Sequence, residues 1–121
     1  MMQVLVDSSV WIAHFKQRNA VLVALLEAGQ VLCHPLVVLE VALGTPPQRR
    51  EVIALLARLD KSPIATSAEL LALVERRALF GRGCGAVDLS LLAATLLGQD
   101  TRLWTLDKRL AALADELGCA V

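Results

Sequence analysis

Short aliphatic runs recur along this chain, and the segments between them have helical spacing. Gln3 to Val6 ends at Asp7, Val31 to His34 ends at Pro35, and Leu103 to Thr105 leads to Asp107. Ile64-Ala65 forms a minimal run of the same kind, and Cys119 to Val121 is the last. Runs this short and this apolar read as strands buried on both faces. Their alternation with helices is the mark of a parallel sheet covered on both sides. The expectation is a single α/β domain over residues 1–121, with a short parallel sheet and helices on both faces.

The helices have readable ends. Ser8-Ser9 offers caps for a short helix through Trp11 and Phe15, and Ala20 to Ala28 stops at Gly29, a residue suited to a left-handed cap. Pro35 fits the first position of a helix running to Leu43 and ended by Gly44. Thr45 is expected to cap the next helix with Pro46-Pro47 in its first turn, and Arg49 to Leu59 has apolar residues at helical spacing. Thr66 to Glu69 is a capping box opening a helix to about Leu79. After the glycine loop Gly81 to Gly85 come helices from Asp88 to Leu97 and from Lys108 to Leu117.

Composition narrows the function classes. Apolar residues make up 56% of the 121, far too many for a disordered chain, and the surplus is aliphatic, with 25 Leu and 18 Ala. One small core cannot hide them all, so a self-association or partner face is expected. Twelve basic residues against twelve acidic ones give zero net charge. A protein that binds nucleic acid chiefly by neutralising phosphates is basic overall, so any positive charge that touches nucleic acid here is local. No run approaches the length of a membrane helix, and the start, MMQVLVD, is not that of a signal peptide. Cys33, Cys84 and Cys119 have no paired spacing and read as reduced thiols of a cytoplasmic protein.

Four carboxylates fall where folding alone would not put them. Asp7 and Asp107 each follow a strand, and in a parallel sheet both project from one edge; each also precedes a helix, which an Asp caps well. Glu40 lies in the apolar helix 35–43, expected to be buried on most sides, and is either paired with one of the nine arginines or functional. Asp88 opens the helix after the glycine loop, as a cap, a cation ligand, or both. Carboxylates brought together repel one another unless protonated or bound to a cation, and all-oxygen sites favour Mg²⁺ or Mn²⁺. Metal-assisted phosphodiester cleavage is the chemistry that uses such a set.

The segments VLVDSSVWI at 4–12, PLVVLEVALG at 35–44, GRGCGAVDLSLLAA at 81–94 and LWTLDKRLAALA at 103–114 resemble, in order and spacing, the PIN-domain nucleases, and among them the VapC toxins of type II toxin–antitoxin modules. The resemblance implies a PIN-like three-layer fold and an acidic site of Asp7, Glu40, Asp88 and Asp107, with Asp7 and Asp88 as the principal Mg²⁺ (or Mn²⁺) ligands. It places Ser9 and Thr105 at hydroxyl positions that support the first and last acids. It further implies a homodimer, a VapB-type antitoxin partner, and an RNA substrate of the tRNA or rRNA class.

Arg82, in the glycine loop, is a candidate for contact with a substrate phosphate, with Arg102, Lys108 and Arg109 behind it. Arg49-Arg50 and Arg76-Arg77 read as exposed helix faces, His14 and His34 as surface or core residues, and Trp11 and Trp104 as packing residues. The competing functions are a Mg²⁺-dependent phosphoryl-transfer domain and a noncatalytic or decayed module acting in assembly. The first would need Asp-x-Asp or paired acids after the first strand, where this chain has Asp7-Ser8-Ser9; the intact acid set argues against the second.

Overall fold

A computed structural model describes all of residues 1–121. Strand β1 (Gln3–Val6) leads into α1 (Ser8–Lys16) and α2 (Ala20–Glu27), and β2 (Val31–Cys33) into α3 (Pro35–Leu43) and α4 (Arg49–Arg58). Strand β3 (Asp60–Lys61) leads into α5 (Ser67–Arg77) and α6 (Ala86–Leu97), and β4 (Thr101–Trp104) into α7 (Lys108–Glu116). All pairings are parallel, in the order β3-β2-β1-β4. The chain therefore moves outward from β1 to β3 and then crosses to the far side of β1. Because parallel crossovers are right-handed, the two directions put α1 to α4 on one face and α5 and α6 on the other. Helix packing agrees: α3 lies against α1 and α4, and α6 against α5, α7 and β4. The strand order reverses between β1 and β4, the position at which open α/β sheets collect ligands.

The central strand is buried on both sides, as its composition requires: Val4, Leu5 and Val6 are at most 1% exposed. Leu91, Leu92 and Ala94 of α6 and Leu110 and Leu113 of α7 join the same core, as do Val37 and Val41 of α3. Trp11 is a core residue, stacked on Phe15 with ring centroids 6.2 Å apart.

Several boundaries differ from the expectations, each for a physical reason. The third strand is Asp60–Lys61 rather than Ile64-Ala65. It is an edge strand whose side chains are both exposed, so only its backbone pairs, with Leu32 and Cys33, and charged residues suit such an edge. Cys119 to Val121 makes a single bridge, Leu103 to Ala120, not a strand. Thr45 does not cap α4. Each proline disfavours helical backbone in the residue before it, so the helix waits until Arg49, with Gln48 left-handed (φ 53°) at its N-cap. Helix α6 begins at Ala86, with Gly85 as N-cap, so Asp88 is its third residue rather than its opening one. Nor is α3 buried on most sides: Val37 and Val41 are covered, but Leu39 and Leu43 are 52% and 79% exposed.

His34 caps α3 from the end of β2. It is 2% exposed, and its Nδ1 accepts the Leu36 N–H at 3.0 Å, which requires a neutral ring. Burial lowers its pKa. The unfolded chain thus binds this proton more tightly than the native one. The contribution to stability is complete above the ordinary histidine value of about 6.5 and is lost as pH falls from there to the lowered native value. Urea midpoints should therefore drop between about pH 7.5 and 5.5, and His34→Asn, which keeps a capping oxygen, should flatten that dependence. An unchanged slope in the variant would refute the assignment.

Candidate active site

Asp7 stands immediately after β1 and is 5% exposed. It occupies the N-cap position of α1, yet its side chain makes no capping bond. Instead its Oδ2 accepts two hydroxyl hydrogen bonds, from Ser9 and from Thr105, both 2.7 Å long. The same hydroxyls accept backbone N–H groups, Ser9 from Leu106 and Thr105 from Asp107, each at 3.0 Å. With both protons committed to Asp7, the 3.4 Å approach of the two hydroxyl oxygens is a contact rather than a hydrogen bond. One oxygen of Asp7 is thereby fixed, and no hydrogen bond reaches the other, Oδ1.

Asp107 is a true helix cap: its Oδ1 accepts the N–H groups of Arg109 and Leu110 at 2.9 and 3.0 Å. The cap orients the carboxylate and leaves Oδ2 free. Asp88 reaches the same region from the first turn of α6. Its carboxyl is raised above the usual range, first by burial and then by the negative charges of Asp107 and Asp7. The half-buried Cys84 thiol is also raised, by burial and by Asp88 and Asp107, with Arg109 and then Arg82 acting in the opposite direction. Three acids from the ends of β1 and β4 and the start of α6 thus share one field.

Glu40 approaches from α3, half-buried, and its Oε1 accepts a 2.9 Å hydrogen bond from Ser8. It is paired with no arginine: the only ion pairs are Met1 N-terminus to Asp100 and Arg82 to Glu116. Ser8, read from the sequence only as a cap, is the residue that ties Glu40 to the chain beside Asp7. Its place next to Asp7 was the available signal. Arg82 is bound to Glu116 through two hydrogen bonds of 2.6 and 3.2 Å, a partner 34 residues away that no local spacing reveals.

The donor chemistry fits a hard divalent cation. All donors are carboxylate or hydroxyl oxygens, no cationic side chain neutralises any of the four acids, and Asp88 is raised by burial first and by the neighbouring carboxylates Asp107 and Asp7 after it. No three of the acids are already gathered around one point. Magnesium needs no such cage, since it keeps several waters and is held through one or two carboxylates.

Asp88 should therefore cost the cation-free protein stability. A carboxyl raised in the native state binds its proton more tightly there than in the unfolded chain, so stability falls as pH rises from the ordinary carboxylate range through the raised value. In EDTA at neutral pH, Asp88→Asn should melt higher than the parent, with the gain shrinking as pH falls toward 4. A lower melting temperature at neutral pH would show that the charge is not a burden.

Comparison with known proteins agrees with this geometry. The PIN domain family model matches residues 4–116. Two curated relatives, each named Ribonuclease VapC32, come from Mycobacterium tuberculosis strains CDC 1551 / Oshkosh and ATCC 25618 / H37Rv. Each is 51% identical over 118 residues, covering 98% of this chain and 95% of the relative. No solved structure matches the chain. The acid-bearing sheet edge, the family match and this near-full-length identity together make the chain a member of the PIN-domain family, in its VapC ribonuclease branch.

Proposed function

We propose that this chain, as one domain over residues 1–121, is the toxin of a type II toxin–antitoxin module and hydrolyses RNA phosphodiester bonds with Mg²⁺ or Mn²⁺, on RNA of the tRNA or rRNA class. The observation that carries the reading is Asp7 pinned by two hydroxyls through one oxygen, its other oxygen open, in one field with an Asp88 raised by burial and by the charges of Asp107 and Asp7. Asp7 and Asp88 are the principal metal ligands, with Glu40 and Asp107 completing the acidic set. When bound, the cation would supply Lewis acidity and offset the negative charge that builds on the phosphoryl oxygens.

The chain's own groups orient and hold. Ser9 and Thr105 lock the rotamer of Asp7, and the helix cap locks Asp107. Ser9 and Thr105 act as positioning residues for Asp7, and in this reading water is the nucleophile, with no covalent enzyme intermediate. Arg82 stands at the rim with its guanidinium engaged by Glu116.

A VapB-type antitoxin and a second copy of the chain are the proposed protein partners. Supporting both is uncovered apolar surface: Ile12, Leu39 and Leu43 on α1 and α3, and Leu71, Leu96 and Leu97 on α5 and α6. No helix is long and apolar enough to cross a membrane, and a cytoplasmic location fits three free thiols.

Asp7→Asn and Asp88→Asn should each lower RNA cleavage by at least about 100-fold, the upper end of what losing even a supporting group costs at a metal site, with the circular dichroism of the parent retained. Excess EDTA should abolish cleavage and Mn²⁺ restore it. Thr105→Val should cost roughly 10- to 100-fold and weaken Mn²⁺ binding in calorimetry. Cleavage that survives in either aspartate variant or in EDTA would overturn the reading.

A further inference from the structure

The acidic site repels the polyanion it is proposed to cut, so where a substrate phosphate first finds positive charge matters. Four cationic side chains lie near the last acid or the glycine loop. Arg82 is engaged by Glu116, and Arg102 donates to the Gly118 carbonyl at 2.7 Å. Lys108 makes no contact that would hold it in place. Arg109 differs from all three. Its Nη1 lies 3.5 Å from the Gly83 carbonyl oxygen, and a Cβ added at Gly83 would stand 2.8 Å from Nη1 and 2.9 Å from Cδ. The side chain is laid against bare backbone at residue 83, whose φ of +80° also favours glycine. No carboxylate pairs with it, although Asp107, two residues before it, accepts its backbone N–H. Like Arg82, it acts to lower the Cys84 thiol.

We propose that Arg109 is the residue that binds a phosphate of the RNA at the rim of the acidic site, its guanidinium lying in the space that Gly83 leaves without a Cβ. The proposal rests on the RNA-cutting reading above. A guanidinium held by backbone keeps its fork of donors free for two phosphate oxygens. An arginine paired with Asp107 or Asp88 would instead neutralise the acids meant for the cation. The contact positions substrate and carries no sequence information.

The test is equilibrium binding of a short single-stranded RNA oligonucleotide across a KCl series, with Ca²⁺ in place of Mg²⁺. Arg109→Gln should weaken binding about tenfold and reduce the slope of log K against log salt by about 0.7, the share of one phosphate on a single strand. Ca²⁺ affinity should stay unchanged. Gly83→Ala, checked by circular dichroism, should shift binding in the same direction with the arginine still present. Arg50→Gln, on the exposed face of α4, removes the same charge as a control. An unchanged slope in Arg109→Gln, an equal fall in Arg50→Gln, a fall only in Arg82→Gln, or no RNA binding by the parent would each overturn the proposal. If the slope falls as expected but Mg²⁺ elicits no cleavage, the phosphate contact stands and the RNA-cutting reading fails.

Discussion

The parallel pairing of β1 with β4 sets Gln3 opposite Thr101 and Val6 opposite Trp104, and so carries the Thr105 hydroxyl to Asp7, 98 positions earlier in the chain. Closing a segment of that length costs about 4 kcal/mol in its length-dependent part. Burying Val4, Leu5, Val6 and Leu103 returns roughly 1.5–3 kcal/mol for each side chain, which outweighs it. The site is therefore built on the best-covered strand pair rather than on loops. Its geometry can be rigid because Asp7 and Thr105 extend strands that the core already holds.

Charge is arranged with a different logic from packing. Zero net charge does not mean that acids and bases cancel in pairs: a single side-chain ion pair, Arg82 to Glu116, is present, and it is exposed. Elsewhere cations donate to carbonyl oxygens. Arg49 binds those of Ala42 and Gly44 at the end of α3, Lys61 binds that of Ala57, and Arg102 binds that of Gly118. Cations placed on helix ends stabilise the fold without entering the acidic field. The four central acids are thus left for a counter-charge from outside the chain. The balance of twelve against twelve hides a local excess of negative charge at one sheet edge.

What the sequence made legible follows from how local each signal is. The buried strand 3–6, most of the run 31–34, the Thr66–Glu69 capping box and the Gly44 stop depend on neighbours within a few residues, and the structure has them. Strand β3 escaped because an edge strand pairs through backbone alone and leaves no apolar pattern in Asp60-Lys61. Two prolines delayed α4 where a cap rule counts only side chains. At the site, Asp7 and Asp107 were visible as acids after strands. Which of them caps its helix was not, since both positions allow it: Asp107 caps, while two hydroxyls turn Asp7 away. Ser8 to Glu40 and Arg82 to Glu116 join residues more than thirty apart, and no local spacing encodes such pairs.

The uncovered apolar surface bears on the same chemistry through Glu40. Helix α3 turns Val37 and Val41 inward and leaves Leu39 and Leu43 outward, with Glu40 between these faces. A recess of about 240 Å³ beside it is lined by Ile12, Phe15, Lys16, Glu40 and Val41 together with Gly44 to Pro47. Leucines at 52% and 79% exposure cost solubility in an isolated chain, so covering them is favourable at roughly 25 cal/mol for each Å². A chain segment that does so passes beside Glu40, whose carboxylate accepts a hydrogen bond from Ser8, the neighbour of Asp7. A partner recruited by hydrophobicity at α3 would therefore sit beside Glu40, one of the four acids of the proposed site.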